Sequence, residues 1–264
     1  MDIRGKRVLV TGASRGLGRA LAIACAGAGA REVIAGARNP AVISDFGRAG
    51  ITPIRLDVTL DDDAASVKAL GPLDILINNA GINSWAGLLR GEVVDMRLEL
   101  EVNYFGVLRM IRAVAPSMIE QGDGLIVNVS SILGKVSLPM AGSYSATKAA
   151  LIALSQALRG DLEHSGVRVI TVLPGAIDTD MNKDYHGPKT PAGQIAAGML
   201  QAIESEAFET VIGDDATAVM KTLASNPLEA ERMFASFKSQ EAGACRRTSP
   251  AAAPGSSKTE AGLT

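Results

Sequence analysis

Short, nearly uninterrupted apolar runs alternate along this chain with longer stretches whose apolar residues recur every three or four positions. The runs are residues 6–11 (KRVLVT), 32–36 (EVIAG), 51–56 (ITPIRL), 74–77 (DILI), 125–129 (LIVNV) and 167–173 (VRVITVL). They are too short for helices and rich in β-branched residues, so they read as buried strands. After the first run, Leu17, Leu21, Ala24, Cys25 and Ala28 fall at helical spacing. Long helices are predicted over residues 92–120 and 144–163. Strand and helix alternate at least six times, which predicts parallel strands joined by right-handed crossovers. Apolar runs without polar alternation fit a sheet covered on both faces. The expected class is α/β: a doubly wound parallel sheet in three α/β/α layers, forming one domain over residues 1–241. Beyond Gly175 the pattern loosens into a helix at 190–205, a short strand at 209–212 and a closing helix at 227–241. Residues 242–264 are mostly Ala, Gly, Pro, Ser and Thr. They offer too little apolar surface to offset their ordering entropy, so a disordered tail is expected there.

Composition narrows the functional classes. Of 264 residues, 47% are hydrophobic and only 3% aromatic, so aliphatic side chains must fill the core. A formal net charge of −2 supplies no basic field for nucleic acid or an anionic membrane. Cys25 and Cys245 suggest neither a disulfide framework nor a thiolate metal site. Asp61, Asp62 and Asp63 open a helix, where carboxylates suit the dipole, and three consecutive helical residues do not share a face. No metal site is expected. The first residues carry charges and glycines where a secretion signal needs an apolar run, and no stretch has the length of a membrane span. A soluble, cytoplasmic protein is the expectation.

The first strand runs into Gly12-Ala13-Ser14-Arg15-Gly16-Leu17-Gly18, and a helix follows at once. A side-chain-poor turn at a helix N-terminus offers backbone N–H groups and a dipole to a pyrophosphate. The spacing departs from G-x-G-x-x-G. It resembles the T-G-x-x-x-G-x-G of the classical short-chain dehydrogenases/reductases, with Thr11 leading. The likeness continues in order: Asn78-Asn79-Ala80-Gly81 after the fourth strand, Asn103 in the long helix, Ser131 after the fifth strand, Tyr144-Ser-Ala-Thr-Lys148 as Y-x-x-x-K, and Pro174-Gly175 with Thr179 after the sixth. The resemblance spans roughly residues 5–180. It implies a Rossmann-like fold and hydride transfer between a nicotinamide cofactor and a carbonyl or alcohol.

The end of the second strand bears on the cofactor's phosphate. NAD is usually held there by an acid on the ribose hydroxyls. Here the residues are Ala35-Gly36-Ala37-Arg38. Arg38, with Arg15 approaching from the glycine-rich turn, suits a 2′-phosphate through the planar guanidinium fork. NADP(H) is therefore expected in preference to NAD(H). The resemblance further implies that Asp57 meets the adenine amino group, with Val58 beside the ring. It puts Asn79, Ala80 and Gly81 along the adenosine ribose side, and Pro174, Gly175, Ile177 and Thr179 around the carboxamide.

Tyr144 and Lys148 are four apart on a helix, so both leave one face. A nearby ammonium stabilises phenolate and lowers a tyrosine pKa, which is otherwise near ~10. Tyr144 is then the expected general acid/base, and Ser131 the group that orients the reacting oxygen. The resemblance adds that Lys148 grips the nicotinamide ribose and that Asn103 holds a water linking Lys148 to solvent. Ser130 is the competing serine; its offset to Tyr144 is less suitable. Plainer roles exist for each: packing, a surface charge, a turn, a cap.

Trp85, Leu138, Met140 and Tyr185 are the expected apolar rim for a small-molecule substrate, hinting at a hydrophobic aldehyde or ketone. His164 and His186 read as surface residues. Carbonyl reduction stands first. An alcohol dehydrogenase working oxidatively and a non-catalytic nucleotide-binding regulatory protein stand beside it. The family's usual ending, a V-D-G-G-like strand exit, is replaced by Gly213-Asp214-Asp215 and a further helix. A homodimer, or a monomer, is thus as credible as a homotetramer.

Overall fold

Strand β1 (Arg7–Thr11) runs into helix α1 (Gly16–Gly27), strand β2 (Glu32–Ala37), strand β3 (Ile51–Arg55), helix α2 (Asp61–Ala69) and strand β4 (Ile75–Asn78). Helix α3 (Val93–Leu100) then passes through a wide π turn, Glu101–Gly106, into α4 (Val107–Gln121). Strand β5 (Gly124–Val129), helix α5 (Gly142–Asp161) and strand β6 (Val167–Pro174) complete the recurring part. The short strands β7 (Ile177–Asp178) and β8 (Thr190–Pro191), helix α6 (Ala192–Ser205), strand β9 (Glu209–Ile212) and helices α7 (Asp214–Ser225) and α8 (Pro227–Glu241) follow. These come from a computed structural model that describes residues 1–46, 50–85 and 87–241. The tail expected at 242–264, with Cys245, lies outside the described residues.

Seven strands pair in the order β3-β2-β1-β4-β5-β6-β9, every neighbour parallel. β7 and β8 form a separate two-stranded ribbon. The apolar runs are buried because both faces are covered. Val8, Val10, Val127 and Val172 pack on one face against Leu21, Cys25, Ile195 and Met199 from α1 and α6. Leu9, Leu76, Ile126 and Val169 pack on the other against Val67, Met110, Val114 and Leu151 from α2, α4 and α5. This is the Rossmann-like three-layer fold that the alternation predicts. Among the described residues no helix is long and apolar enough to cross a membrane.

From β1 the chain proceeds outward to β2 and β3, then returns to β4 on the other side of β1. The crossovers therefore diverge between β1 and β4 and leave a crevice at the strands' C-terminal ends. Thr11 closes its floor. Its hydroxyl accepts from the backbone N–H groups of Asn79 and Ala80, each at 3.0 Å. The helix predicted over 92–120 is one rod, with its π turn centred where Asn103 faces the interior. The sequence reading places one helix after β9, at 227–241; the structure has two there, α7 coming first.

Candidate active site

A cavity of about 670 Å³ occupies the crevice. Every residue singled out from the sequence for cofactor or substrate lines it, as do Ser131, Tyr144 and Lys148. Asn103 does not. The cavity begins at Arg38, passes the glycine-rich turn and ends against α5 and the C-terminal helices.

The turn is tight because side chains have no room. Gly12 has φ +67°, and a Cβ on it would lie 2.8 Å from the Ala80 Cα. A Cβ on Gly18 would lie 2.2 Å from the Gly12 carbonyl oxygen. Helix α1 can therefore abut the strand end and aim its N-terminus into the cavity, the arrangement that holds phosphate. The Asn79 side chain donates to the Thr11 carbonyl at 2.9 Å and to that of Gly12 at 3.3 Å, so it braces the turn.

Arg38 stands exposed at the end of β2. Burial raises the Asp57 carboxyl, but hydrogen bonds from Thr59 and the charges of Arg38 and Arg55 outweigh it and leave the group below its ordinary value. Asp63 accepts from the Asp57 N–H at 2.6 Å and binds Arg55, while Asp61 binds Arg109. Two of the three helix-opening acids thus brace this end of the site. Arg15, expected to approach a 2′-phosphate from the glycine-rich turn, lines the same cavity as Arg38. It pairs at 3.2 Å with Asp180, beyond β6, in an exposed ion pair that holds little energy.

At the other end, Lys148 is buried and its Nζ donates to the Val129 carbonyl at 2.8 Å. Nζ lies 5.5 Å from the centre of the Tyr144 ring. Burial pushes the ammonium down to about 8. Burial likewise pushes the Tyr144 phenol up to about 12, against the pull of a hydrogen bond with Ser131, and Glu99 raises it further. Desolvation outweighs the bond with Ser131, so the phenol lies above its ordinary value. The Ser131 hydroxyl also accepts from the Leu133 N–H at 3.1 Å, which orients it. Ser130 is removed from the contest, since its buried hydroxyl donates to the Lys148 carbonyl at 2.9 Å.

Asn103 is fully buried. Its Oδ1 accepts from the Ile82 N–H and its Nδ2 donates to the Ile82 carbonyl, each at 2.9 Å. Nδ2 also reaches the Thr147 hydroxyl at 3.0 Å. These bonds tie the side-chain amide to the loop after β4 and to α5, because the π turn carries it inward. Asn103 and Lys148 remain neighbours: a Cβ on Gly81 would sit 3.2 Å from Asn103 Oδ1 and 3.6 Å from Lys148 Nζ.

Trp85, with φ +53°, donates its ring N–H to the Met181 carbonyl at 2.9 Å. It thereby ties the loop after β4 to the loop after β6 over the cavity. Leu138, Ala141 and Tyr144 form an apolar cluster packed by Trp85, Met140 and Phe234. Tyr185 lines the same end, raised by burial and by Asp215.

Sequence reasoning missed Asp215 of α7 and Met233 and Phe234 of α8, which also line the cavity. Asp215 accepts from the Ala176 N–H at 2.7 Å. It missed Glu99 too, although a signal exists. Glu99 lies one turn before Asn103 on the stripe that continues through Val107 and Met110, and an acid on an apolar stripe is anomalous. The histidines are exposed, as expected. Cys25 is buried in the core, which pushes its thiol up to about 12 and leaves it inert.

Comparison with known proteins bears on what this site does. The family model described as short chain dehydrogenase matches residues 6–189. Dehydrogenase/reductase SDR family member 7B of Mus musculus is 38% identical over 196 residues, 68% of this chain. The match spans only 60% of that relative's length. D-erythrulose reductase of Gallus gallus is 38% identical over 200 residues, 74% of this chain and 81% of the relative. A solved short chain dehydrogenase from Burkholderia cenocepacia in complex with NADP superposes with a TM-score of 0.84 at 38% identity, covering 89% of this chain and 99% of that one.

Proposed function

The chain belongs to the short-chain dehydrogenase family of oxidoreductases, and from that premise we propose that it is a cytoplasmic NADP(H)-dependent carbonyl reductase acting on a hydrophobic aldehyde or ketone. The observation that carries this reading is one continuous cavity with Arg38 at one end and Tyr144, Ser131 and Lys148 at the other.

The residues present fit the cofactor. The cradle at Gly12 and Gly18 has space for backbone-to-phosphate contact and none for side chains. Arg38 supplies charge where a 2′-phosphate would lie, with no acid at the end of β2. Arg15 can exchange its weak exposed pairing with Asp180 for a phosphate. Asp57 and Val58 would flank the adenine. Asn79, Ala80 and Gly81 would line the ribose side, and Pro174, Gly175, Ile177 and Thr179 the carboxamide. The NADP in the Burkholderia relative supports the same preference. When bound, the nicotinamide supplies the hydride.

The chain's own residues supply the proton. Tyr144, protonated across the neutral range, donates from its hydroxyl to the carbonyl oxygen as that oxygen gains charge. Ser131 hydrogen-bonds the same oxygen and orients it. Lys148 holds the ribose and places positive charge near the phenolate that forms. A phenol that keeps its proton favours the reductive direction. Trp85, Leu138, Met140 and Tyr185 would hold the substrate's apolar part and exclude water.

NADPH consumption over a panel of aldehydes, ketones and quinones, repeated with NADH and with Tyr144→Phe, tests this. The expected result is NADPH-selective turnover that Tyr144→Phe abolishes. Equal use of NADH overturns the cofactor reading. Turnover by Tyr144→Phe overturns the assignment of the acid. Tight NADPH binding with no turnover on the whole panel favours a regulatory nucleotide-binding protein.

A further inference from the structure

Glu99 takes no part in the chemistry above, yet it is a fully buried acid beside it. Its Oε1 accepts from the Ser84 N–H at 2.6 Å and from the Ser84 hydroxyl at 2.7 Å. Its Oε2 accepts from the Ser143 hydroxyl at 2.5 Å. Among the described residues no cation pairs with it. All its partners are neutral donors. Ser84 adjoins Trp85 in the loop after β4, and Ser143 adjoins Tyr144 in the first turn of α5. A buried carboxylate without a cation is expensive, and a neutral side chain could make the same ties. What the acid adds is charge, held between the wall of the substrate pocket and the residue read as proton donor.

Resting on that reading of Tyr144, we propose that Glu99 is a positioning residue that fastens the substrate loop at Ser84 to the catalytic helix at Ser143 and sets its carboxyl group against the turn that carries Tyr144. Among the described residues, Ser131 from the loop after β5, Lys148 from its own helix and Glu99 from α3 bear on Tyr144. Tyr144 also packs in an apolar cluster with Leu138 and Ala141, against Trp85, Leu133, Met140 and Phe234. Glu99 opposes Lys148. It holds the proton on the phenol until a carbonyl oxygen accepts it, and that raises the pH at which the reverse reaction can begin. The tie to Ser84 moves the apolar wall and the acid as one piece.

Two measurements test this, and neither requires turnover. The first is an NMR titration of protein labelled at the tyrosine ring carbon bearing oxygen, with and without NADP⁺. Tyr144 is assigned among the three tyrosines with Tyr144→Phe. Glu99→Gln keeps volume and an acceptor for Ser84 while removing charge. It is expected to move the Tyr144 titration down by about one pH unit. An unmoved titration overturns the electrostatic role. The second is hydrogen exchange at the Ser84 amide and the first turn of α5. Glu99→Ala is expected to speed both together, by on the order of tenfold. Unchanged exchange overturns the tie. Should Glu99→Ala fail to fold, Ser84→Ala cuts one bond and is expected to speed exchange in the loop by a smaller factor; no change there is equally decisive. If the wild-type protein binds no NADP⁺, the cofactor reading fails while both measurements stay interpretable.

Discussion

Asn103 holds Ile82 by both ends of its side-chain amide, donating to the carbonyl and accepting from the N–H at 2.9 Å each. The pairing closes the loop after β4 onto the π turn, and the third bond, to Thr147, ties in α5. Asn103→Ala leaves these groups without partners in a buried place. A loss of about 2–4 kcal/mol in stability is expected. Asn103→Asp should cost more, because a second acceptor then faces the Ile82 carbonyl. Urea unfolding measures both. A change under about 0.5 kcal/mol for Asn103→Ala would show that the clamp is dispensable.

Gly18 touches the turn it helps to form. Its missing Cβ would meet the Gly12 carbonyl at 2.2 Å and the Asn79 side-chain nitrogen at 2.5 Å. Gly18→Ala must push α1 away from β1, a strain of about 1–3 kcal/mol by analogy with overpacked cores. NADPH affinity is expected to fall with it, because the helix N-terminus retreats from the phosphate. Calorimetric titration that finds unchanged affinity would place the cofactor elsewhere.

Tyr144→Phe removes one oxygen from a buried ring. Stability should change by about 1 kcal/mol or less, through the bond with Ser131. Turnover should fall by roughly 10²–10⁴-fold if Tyr144 moves the proton, while NADPH binding stays near the wild-type value. A variant that retains a tenth of wild-type kcat would argue for a different acid.

Arg38 is the exposed cation at the end of β2. Arg38→Asp exchanges a phosphate partner for a ribose-hydroxyl partner. NADPH binding is expected to weaken by roughly 10- to 100-fold, the worth of a charge-assisted hydrogen bond, with NADH unchanged or improved. Fluorescence titration of both cofactors decides it. An equal fall for the two would mean damage to the strand end and no reading of the phosphate.

Lys148 pays for function with stability. Its folded-state value of about 8 lies below the ordinary 10.5 because the ammonium is buried. The folded protein therefore binds fewer protons than the unfolded chain between those values, so this group's contribution to stability rises with pH across that window. Below pH 8 the whole cost is present. Lys148→Met is expected to abolish turnover and to stabilise the fold at pH 7 by about 1–3 kcal/mol. The advantage should shrink towards pH 10. Urea midpoints at the two pH values test it, and an advantage that is the same at both would refute the burial argument.

The sequence by itself determined the strands, their parallel arrangement, the glycine-rich turn and the Tyr144–Lys148 pair. Each rests on a local period: apolar runs for strands buried on both faces, or an i, i+4 step that puts two side chains on one helical face. Candidates for the cofactor and the substrate came from order along the chain, and the fold brings them to one cavity. Only the tertiary structure decided which of two adjacent serines faces Tyr144. It also decided that Arg15 meets Asp180, that Asn103 binds Ile82, and that α7 and α8 close the cavity with Asp215, Met233 and Phe234. These depend on contacts between residues far apart in the chain. A local pattern specifies which face of an element is buried; it carries no record of what that face meets. The raised phenol of Tyr144 belongs to the same class, because desolvation is set by everything packed around a group and not by its neighbours in sequence.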